Sequence, residues 1–300
     1  MMAPYPRVGV IGTGAMGGGV VQSLVRAGIA TSARDINADA LTRAVGHGAV
    51  SCDSPVALAE ACDIVIVLVV DAAQVETVLF GGDGVAHAAA RDRVVLVSST
   101  VDPAYVTALA PRLAAADIAL LDAPVSGGPA KAAAGTMTMM VSGDTEAQGR
   151  VRAVLDRIAG SVFELGPRAG DASTFKIVNN LLAGANLAAG AEALALAQAA
   201  GLNLERVRDV VNASSGGSWI FADRIARALT GDLAPRAAVT LLAKDVGIAA
   251  TLAEHLAVDA PFARLASRAF NAAVAAGRGD DDDAVLMRLA LDAARRRSDA

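Results

Sequence analysis

Arg7-Val-Gly-Val-Ile11 runs into Gly12-Thr13-Gly14-Ala15-Met16-Gly17 and on through an apolar stretch to Arg26-Ala27-Gly28, and this segment decides the fold. A short apolar run, a turn with glycine at its first, third and sixth places, and a helical pattern closed by glycine read as strand, loop and helix. In that context the first glycine makes the tight turn, and the second lets the backbone approach a pyrophosphate. The third lets helix and strand pack closely, while the helix N-terminus offers free N–H groups. Gly12, Thr13, Gly14, Ala15 and Met16 are therefore the candidate dinucleotide contacts. The stretch Val8 to Val25 is uncharged, but it is too rich in glycine for a membrane span or a secretion signal.

The same texture repeats outward. Ala30–Arg34, Asp63–Val70, Arg93–Ser98 and Ile118–Asp122 read as strands, with helical patterns such as Pro103–Ala115 in the gaps. Alternating β and α predicts a parallel sheet with helices on both faces. Near residue 166 the pattern changes to apolar helical stretches at about 170–200, 203–213, 235–256, 260–276 and 284–297. The expected architecture is α/β: an N-terminal Rossmann-type dinucleotide-binding domain over 1–165 and an all-α substrate and dimerisation domain over 166–300, joined by a long helix. Lys176 to Ala200 is apolar on so many faces that it should be buried at a domain or subunit interface. The acidic run Asp280–Asp283 reads as a solvated loop whose carboxylate caps the last helix.

Composition narrows the function. Hydrophobic residues make up 54% of the 300 but aromatics only 3%, so the core is Ala, Val and Leu. A net charge of −5 leaves no basic field for nucleic acid. Three scattered histidines and two cysteines suggest neither a metal site nor a redox pair, and a reducing cytoplasm is the simpler setting. Lys131, Lys176 and Lys244 are the only lysines among 26 cations. Unlike arginine, lysine can exchange a proton near neutral pH, so each lysine draws attention.

Asp35 closes the second strand, where a carboxylate accepts from a ribose 2′-hydroxyl and repels a 2′-phosphate. NAD is therefore expected over NADP, unless the adjacent Arg34 faces the ribose instead. Val69-Val70 and Thr100 lie at the carboxyl ends of their strands, where ligands bind in such sheets; Thr100 is read as a nicotinamide-ribose contact or a helix cap. Ser126-Gly127-Gly128 can offer a hydroxyl and open N–H groups to a carboxylate, or be a plain loop. Lys176, Asn179 and Asn180 share one face of an otherwise apolar helix and need partners or a ligand. A desolvated lysine there can serve as general acid or base. Lys244 could meet a substrate carboxylate or cofactor, or pair internally with Asp245. Trp219, the only tryptophan, is a packing residue or a substrate contact presented by a loop between helices.

These pieces resemble the β-hydroxyacid dehydrogenase family, which includes 3-hydroxyisobutyrate dehydrogenase and tartronate semialdehyde reductase. The resemblance rests on Gly12–Gly17; Asp122-Ala-Pro-Val-Ser-Gly-Gly128 with Gly135–Val141; Lys176-Ile-Val-Asn-Asn180; and Lys244-Asp245. Asn180–Gly184, Ala191–Ala193, Gly217–Trp219 and Gly279–Val285 look most like the L-threonate dehydrogenase subgroup. The resemblance implies an NAD(P)-dependent oxidoreductase acting on a small hydroxy acid, L-threonate-like or 3-hydroxyisobutyrate-like; an Ala-rich helical domain exposed alone would be a liability, so a homodimer or homotetramer is expected. It implies Lys176 as catalytic acid/base; Ser126, Gly127, Gly128, Asn180 and Lys244 at the substrate; and Thr100 and Lys244 at the cofactor. The alternatives are an NADPH-using tartronate semialdehyde reductase and a non-catalytic dinucleotide binder. Lys131 inherits no role. Ala172 replaces a glycine common in the family, which leaves its effect on the nicotinamide approach open.

Overall fold

The computed structural model describes residues 5–89, 92–234 and 236–298. Its contacts divide the chain into two compact units, residues 1–176 and 177–300. The expected boundary lay at 165/166, ahead of the helix that the units share.

The first unit begins with β1 (Val8–Ile11), α1 (Ala15–Arg26), β2 (Thr31–Arg34), α2 (Ala38–Gly46), β3 (Val50–Ser51), α3 (Pro55–Ala61) and β4 (Ile64–Val67). It continues with α4 (Ala72–Phe80), β5 (Arg93–Val97), α5 (Pro103–Ala114), β6 (Ile118–Asp122), β7 (Val125–Ser126), α6 (Gly128–Ala134), β8 (Met137–Gly143), α7 (Thr145–Ile158) and β9 (Ala159–Glu164). The strand order is β3-β2-β1-β4-β5-β6-β8-β7, with β9 on β8. Strands β1 to β6 are parallel, as expected. Beyond these six, β8 runs antiparallel to β6 and β7.

Alternation along each central strand feeds two separate cores. Ile64, Ile66, Val94 and Leu96 pack with Val20, Val21 and Leu24 of α1 and Val154 of α7. Val65, Val67, Val95 and Val97 pack with Leu58, Leu79, Leu109 and Leu113 on the opposite face. The β4 ladder ends at Val67, opposite Ile11 and Val97, because both neighbouring strands end there. Val69 and Val70 therefore lie beyond the strand, not at its last residues.

Helix α8 (Asp171–Ala199) begins in the first unit and continues through the second. The second unit adds α9 (Leu204–Asn212), α10 (Trp219–Thr230), α11 (Val239–His255), α12 (Pro261–Ala273) and α13 (Val285–Ser298). Its core joins Leu187 and Leu194 of α8 to Phe221 and Ile225, Val239 and Val246, Phe270, and Val285 and Met287. Small residues on α8 make this packing close: a Cβ at Gly184 would lie 2.4 Å from Val246 Cγ2, and one at Gly190 would lie 2.6 Å from Phe221 Cδ2. Among the described residues, α8 is the one helix long and apolar enough to cross a membrane by length and composition. Within the single chain its burial is one-sided: Phe175, Val178, Leu182 and Leu196 are each more than half exposed.

Two expectations in this unit are overturned. Trp219 is not in a loop: it is the first residue of α10, whose N-cap Ser218 accepts from Phe221 N at 3.2 Å. The acidic run is solvated only at its start: Asp280 is exposed, but Asp282 and Asp283 are 0% and 2% exposed, facing Arg227 and Arg224 of α10. Ala284 N, just ahead of α13, donates to Asp282 Oδ1 at 3.1 Å.

Candidate active site

The glycine loop is shaped for an anion. Gly14 is the N-cap of α1 and makes no side-chain cap, and a Cβ there would meet nothing within 4 Å. The first N–H groups of α1 are thus approachable and carry the positive end of the helix dipole. A Cβ at Gly17 would fall 1.8 Å from Gly12 O, so the third glycine is fixed by helix–strand contact. Thr13 is buried, and its N–H and hydroxyl donate to Asp35 Oδ2 at 2.5 and 3.2 Å. Asp35 Oδ1 accepts from Asn37 N at 2.8 Å. The Asp35 carboxylate, not the Arg34 side chain, therefore meets the loop, while an Arg34 nitrogen donates to the Asp35 carbonyl. These residues fit a nicotinamide dinucleotide: an open cradle for pyrophosphate beside a carboxylate suited to ribose hydroxyls.

Beyond β4 and β5, Ser99 Oγ accepts from Val69 N at 2.9 Å and joins the two strand ends. Val70 N donates to Gln74 Oε1 at 3.0 Å, and Val70 stays exposed. Thr100 is half-buried. The cap of α5 is Asp102, which accepts from Ala104 N, so neither Ser99 nor Thr100 serves that purpose.

Ser126 ends β7, and Gly127 and Gly128 follow with φ of 126° and 79°. Side chains rarely adopt either angle, so this turn depends on glycine. The Lys131 stem lies over it: a Cβ at Gly127 would come 2.8 Å from Lys131 Cδ.

Lys176 is 8% exposed and Asn180 6%, one turn apart on α8. Asn180 Nδ2 donates to Asp245 Oδ2 at 2.6 Å, and Asn179 Nδ2 donates to Asn180 Oδ1 at 3.0 Å. Asn179 itself is exposed. Lys244 Nζ donates to the other Asp245 oxygen at 2.7 Å, so the internal Lys–Asp pair does form. Asp245 thus holds Asn180 and Lys244 together, a role that sequence spacing did not reveal. Trp219 is 62% exposed with the Arg224 guanidinium 5.9 Å from its ring centroid, and it has no packed place in the core.

Sequence reading also missed what lies before Lys176. Asp122 is fully buried and accepts from Gly170 N at 3.0 Å, Ser173 N at 2.7 Å and Ser173 Oγ at 2.7 Å. Burial pushes its carboxyl above the ordinary range, against the pull of these donors. Ala172 is fully buried and its N–H donates to Ser142 Oγ at 3.0 Å, so its methyl packs inside the unit. An aspartate in a buried strand was the available signal, because such a group demands donors. Among the described residues no cluster of His, Cys, Asp and Glu is arranged to hold a metal ion.

The chain is similar to known proteins over nearly all of its length. Residues 7–166 match the model for the NAD-binding domain of 6-phosphogluconate dehydrogenase. Residues 170–290 match that for the NAD-binding domain of NADP-dependent 3-hydroxyisobutyrate dehydrogenase. The chain is 44% identical to L-threonate dehydrogenase of Cupriavidus necator over 94% of this chain and 95% of that protein. It is 32% identical to 3-hydroxyisobutyrate dehydrogenase of Pseudomonas aeruginosa over 88% and 91%. The crystal structure of a 3-hydroxyisobutyrate dehydrogenase from Salmonella typhimurium superposes with a TM-score of 0.88 at 42% identity, over 94% of this chain and 99% of that one.

Proposed function

The chain belongs to the β-hydroxyacid dehydrogenase family and is an NAD(P)-dependent oxidoreductase acting on the CH–OH group of a small hydroxy acid, and on that premise we propose an NAD-linked L-threonate dehydrogenase with Lys176 as its acid/base. The observation that carries the chemistry is Lys176 itself, a lysine 8% exposed on an apolar helix, one turn before a buried asparagine. The substrate reading is supported by 44% identity to an L-threonate dehydrogenase against 32% to a 3-hydroxyisobutyrate dehydrogenase.

In this reading the Ser126 hydroxyl and the Gly127 and Gly128 N–H groups hold the substrate carboxylate. Asn180 orients the reacting oxygen, and Lys244, held by Asp245, adds positive charge toward substrate and cofactor. Trp219 borders the substrate. Lys176 takes the hydroxyl proton during oxidation and returns it to the same oxygen in reduction. The nicotinamide supplies the hydride acceptor when bound. Gly12 to Met16 take the pyrophosphate, Asp35 takes the adenosine ribose, and Val69, Val70 and Thr100 line the path toward the nicotinamide.

The test is a panel of hydroxy acids, L-threonate, 3-hydroxyisobutyrate, L-serine and glycerate, each with NAD and with NADP. L-Threonate with NAD should give a kcat/KM at least about tenfold above any other pair, a difference of about 1.4 kcal/mol in transition-state binding. A higher value for 3-hydroxyisobutyrate would overturn the substrate, and one for NADP the cofactor choice. Asp35→Ser should narrow the NAD preference by removing the carboxylate that repels a 2′-phosphate.

We place the protein in the cytoplasm, which the two free cysteines support. We also assign it a homodimeric or homotetrameric state, supported by the exposed row Phe175, Val178, Leu182 and Leu196 at helical spacing on α8. Sedimentation should give at least twice the 30.0 kDa chain mass, and Leu182→Arg should shift the protein toward monomer. A monomer at micromolar concentration would refute the assembly.

A further inference from the structure

Asp122 joins the strand that leads into the Ser126–Gly128 loop to the start of the helix that carries Lys176, and its donors are specific. Four of the first polar groups of α8 and its lead-in end on two adjacent residues of the sheet. Gly170 N, Ser173 N and Ser173 Oγ go to Asp122 on β6, and Ala172 N goes to Ser142 on β8. Asp122 and Ser142 are ladder partners. Asp122, Ser142, Ala172 and Ser173 are at most 2% exposed. Below them Gly170 is wedged at φ +99°, where a Cβ would lie 2.4 Å from Thr107 Oγ1, and Thr107 in turn donates to Ala169 O.

The opening N–H groups of a helix have no partner within it. Here the sheet supplies those partners, so the start of α8 is fixed in rotation and in height. Lys176 follows Ser173 by three residues, and Ser126 follows Asp122 by four. We propose that Asp122 is a positioning residue: it registers the Lys176 ammonium against the Ser126–Gly128 loop without touching substrate. This rests on the reading of Lys176 as acid/base. An apolar side chain would bury at lower cost than a carboxylate, but it could not accept three donors at once. Rigid placement of this kind governs rate, because a misplacement of about 1 Å can cost on the order of 10²-fold.

The experiment is a double-mutant cycle with L-threonate and NAD, followed by kcat, KM and cofactor affinity. Asp122→Ala should lower kcat by about 10²-fold while KM and NAD(H) affinity stay within about threefold. In a Lys176→Ala background the same change should cost less than about threefold, because its effect runs through the lysine. Asp122→Asn should keep most of the turnover. Its Oδ1 can accept both N–H groups, and its amide can donate to Ser173 Oγ once that hydroxyl turns. Should Asp122→Ala fail to fold, Ser173→Ala carries the same test, with a smaller kcat loss that again vanishes beside Lys176→Ala. Full turnover in Asp122→Ala or Ser173→Ala, a loss that multiplies in the double variant, or parallel loss of KM and NAD(H) affinity would each overturn the inference. Undiminished turnover in Lys176→Ala alone would instead remove the acid/base reading on which it rests.

Discussion

Lys176→Ala is expected to lower kcat by about 10³-fold, within the range that a positioned general acid or base contributes, while leaving NAD(H) binding at the glycine loop intact. The expectation follows from where the lysine sits. Its side chain is 8% exposed on a helix whose first turn is tied to the sheet, and the next turn carries Asn180, held by Asp245 at 2.6 Å. Lys176→Arg should fare little better than alanine. Its charge is retained and it can still reach an anion, but a guanidinium does not give up a proton near neutral pH. The pair of variants therefore separates charge from proton transfer. Activity in Arg at more than about a tenth of the original would mean that Lys176 works as a cation and not as an acid/base. The check is NADH formation with saturating substrate, alongside thermal melting to show that each variant is folded.

What the sequence revealed and concealed divides along the distance between partners. The strand, glycine loop and helix at Val8–Arg26 were legible because each glycine answers to atoms a few residues away, as Gly17 does to Gly12 O. Lys176 and Asn180 were legible because helical spacing alone puts them on one face. Asp122 was seen as part of a motif, but its donors lie 48 and 51 residues on, and no local pattern announces them. Val69 and Val70 were misread as strand because an apolar run continues past the point where its neighbours stop. Trp219 was misread because Gly216-Gly217-Ser218 looks like open loop, although Ser218 is a good N-cap and announces a helix. The acidic run near the C-terminus was misread most plainly. Four consecutive aspartates read as solvated, but the arginines that bury two of them lie 59 and 55 residues earlier, on α10.

That buried ion cluster sets the second large effect. Arg227 is 6% exposed, and its Nη1 lies 2.7 Å from Asp282 Oδ1, with Asp223 at 3.1 Å on Nη2. Arg224 Nη2 donates to Asp283 Oδ2 at 3.0 Å. Asp282 also accepts from Arg236 N at 2.9 Å and Ala284 N at 3.1 Å, which fastens the chain ahead of α13 to the segment ahead of α11. Arg227→Ala removes one partner and leaves the other charge buried, so the loss should be about 3–5 kcal/mol. For a protein of this size that lowers the melting temperature by roughly 10 °C. Arg227→Met with Asp282→Asn should recover part of it, because neither side then buries a lone charge. Acid titration gives an independent signature. Burial pushes the Asp282 carboxyl up, but the Arg236 and Ala284 amides and the Arg227 guanidinium outweigh it and hold the group below the ordinary carboxylate range. Its contribution is therefore complete above an unfolded pKa of about 3.9 and is lost as pH falls through the lower folded value. Burial dominates at Asp283 and raises its carboxyl. That group works in the opposite sense, costing stability as pH climbs from about 3.9 through its raised value. Asp282→Asn should flatten the decline in melting temperature below about pH 4 and Asp283→Asn the decline above it. Identical pH profiles for both variants and the unaltered protein would show that the cluster does not carry the acid sensitivity.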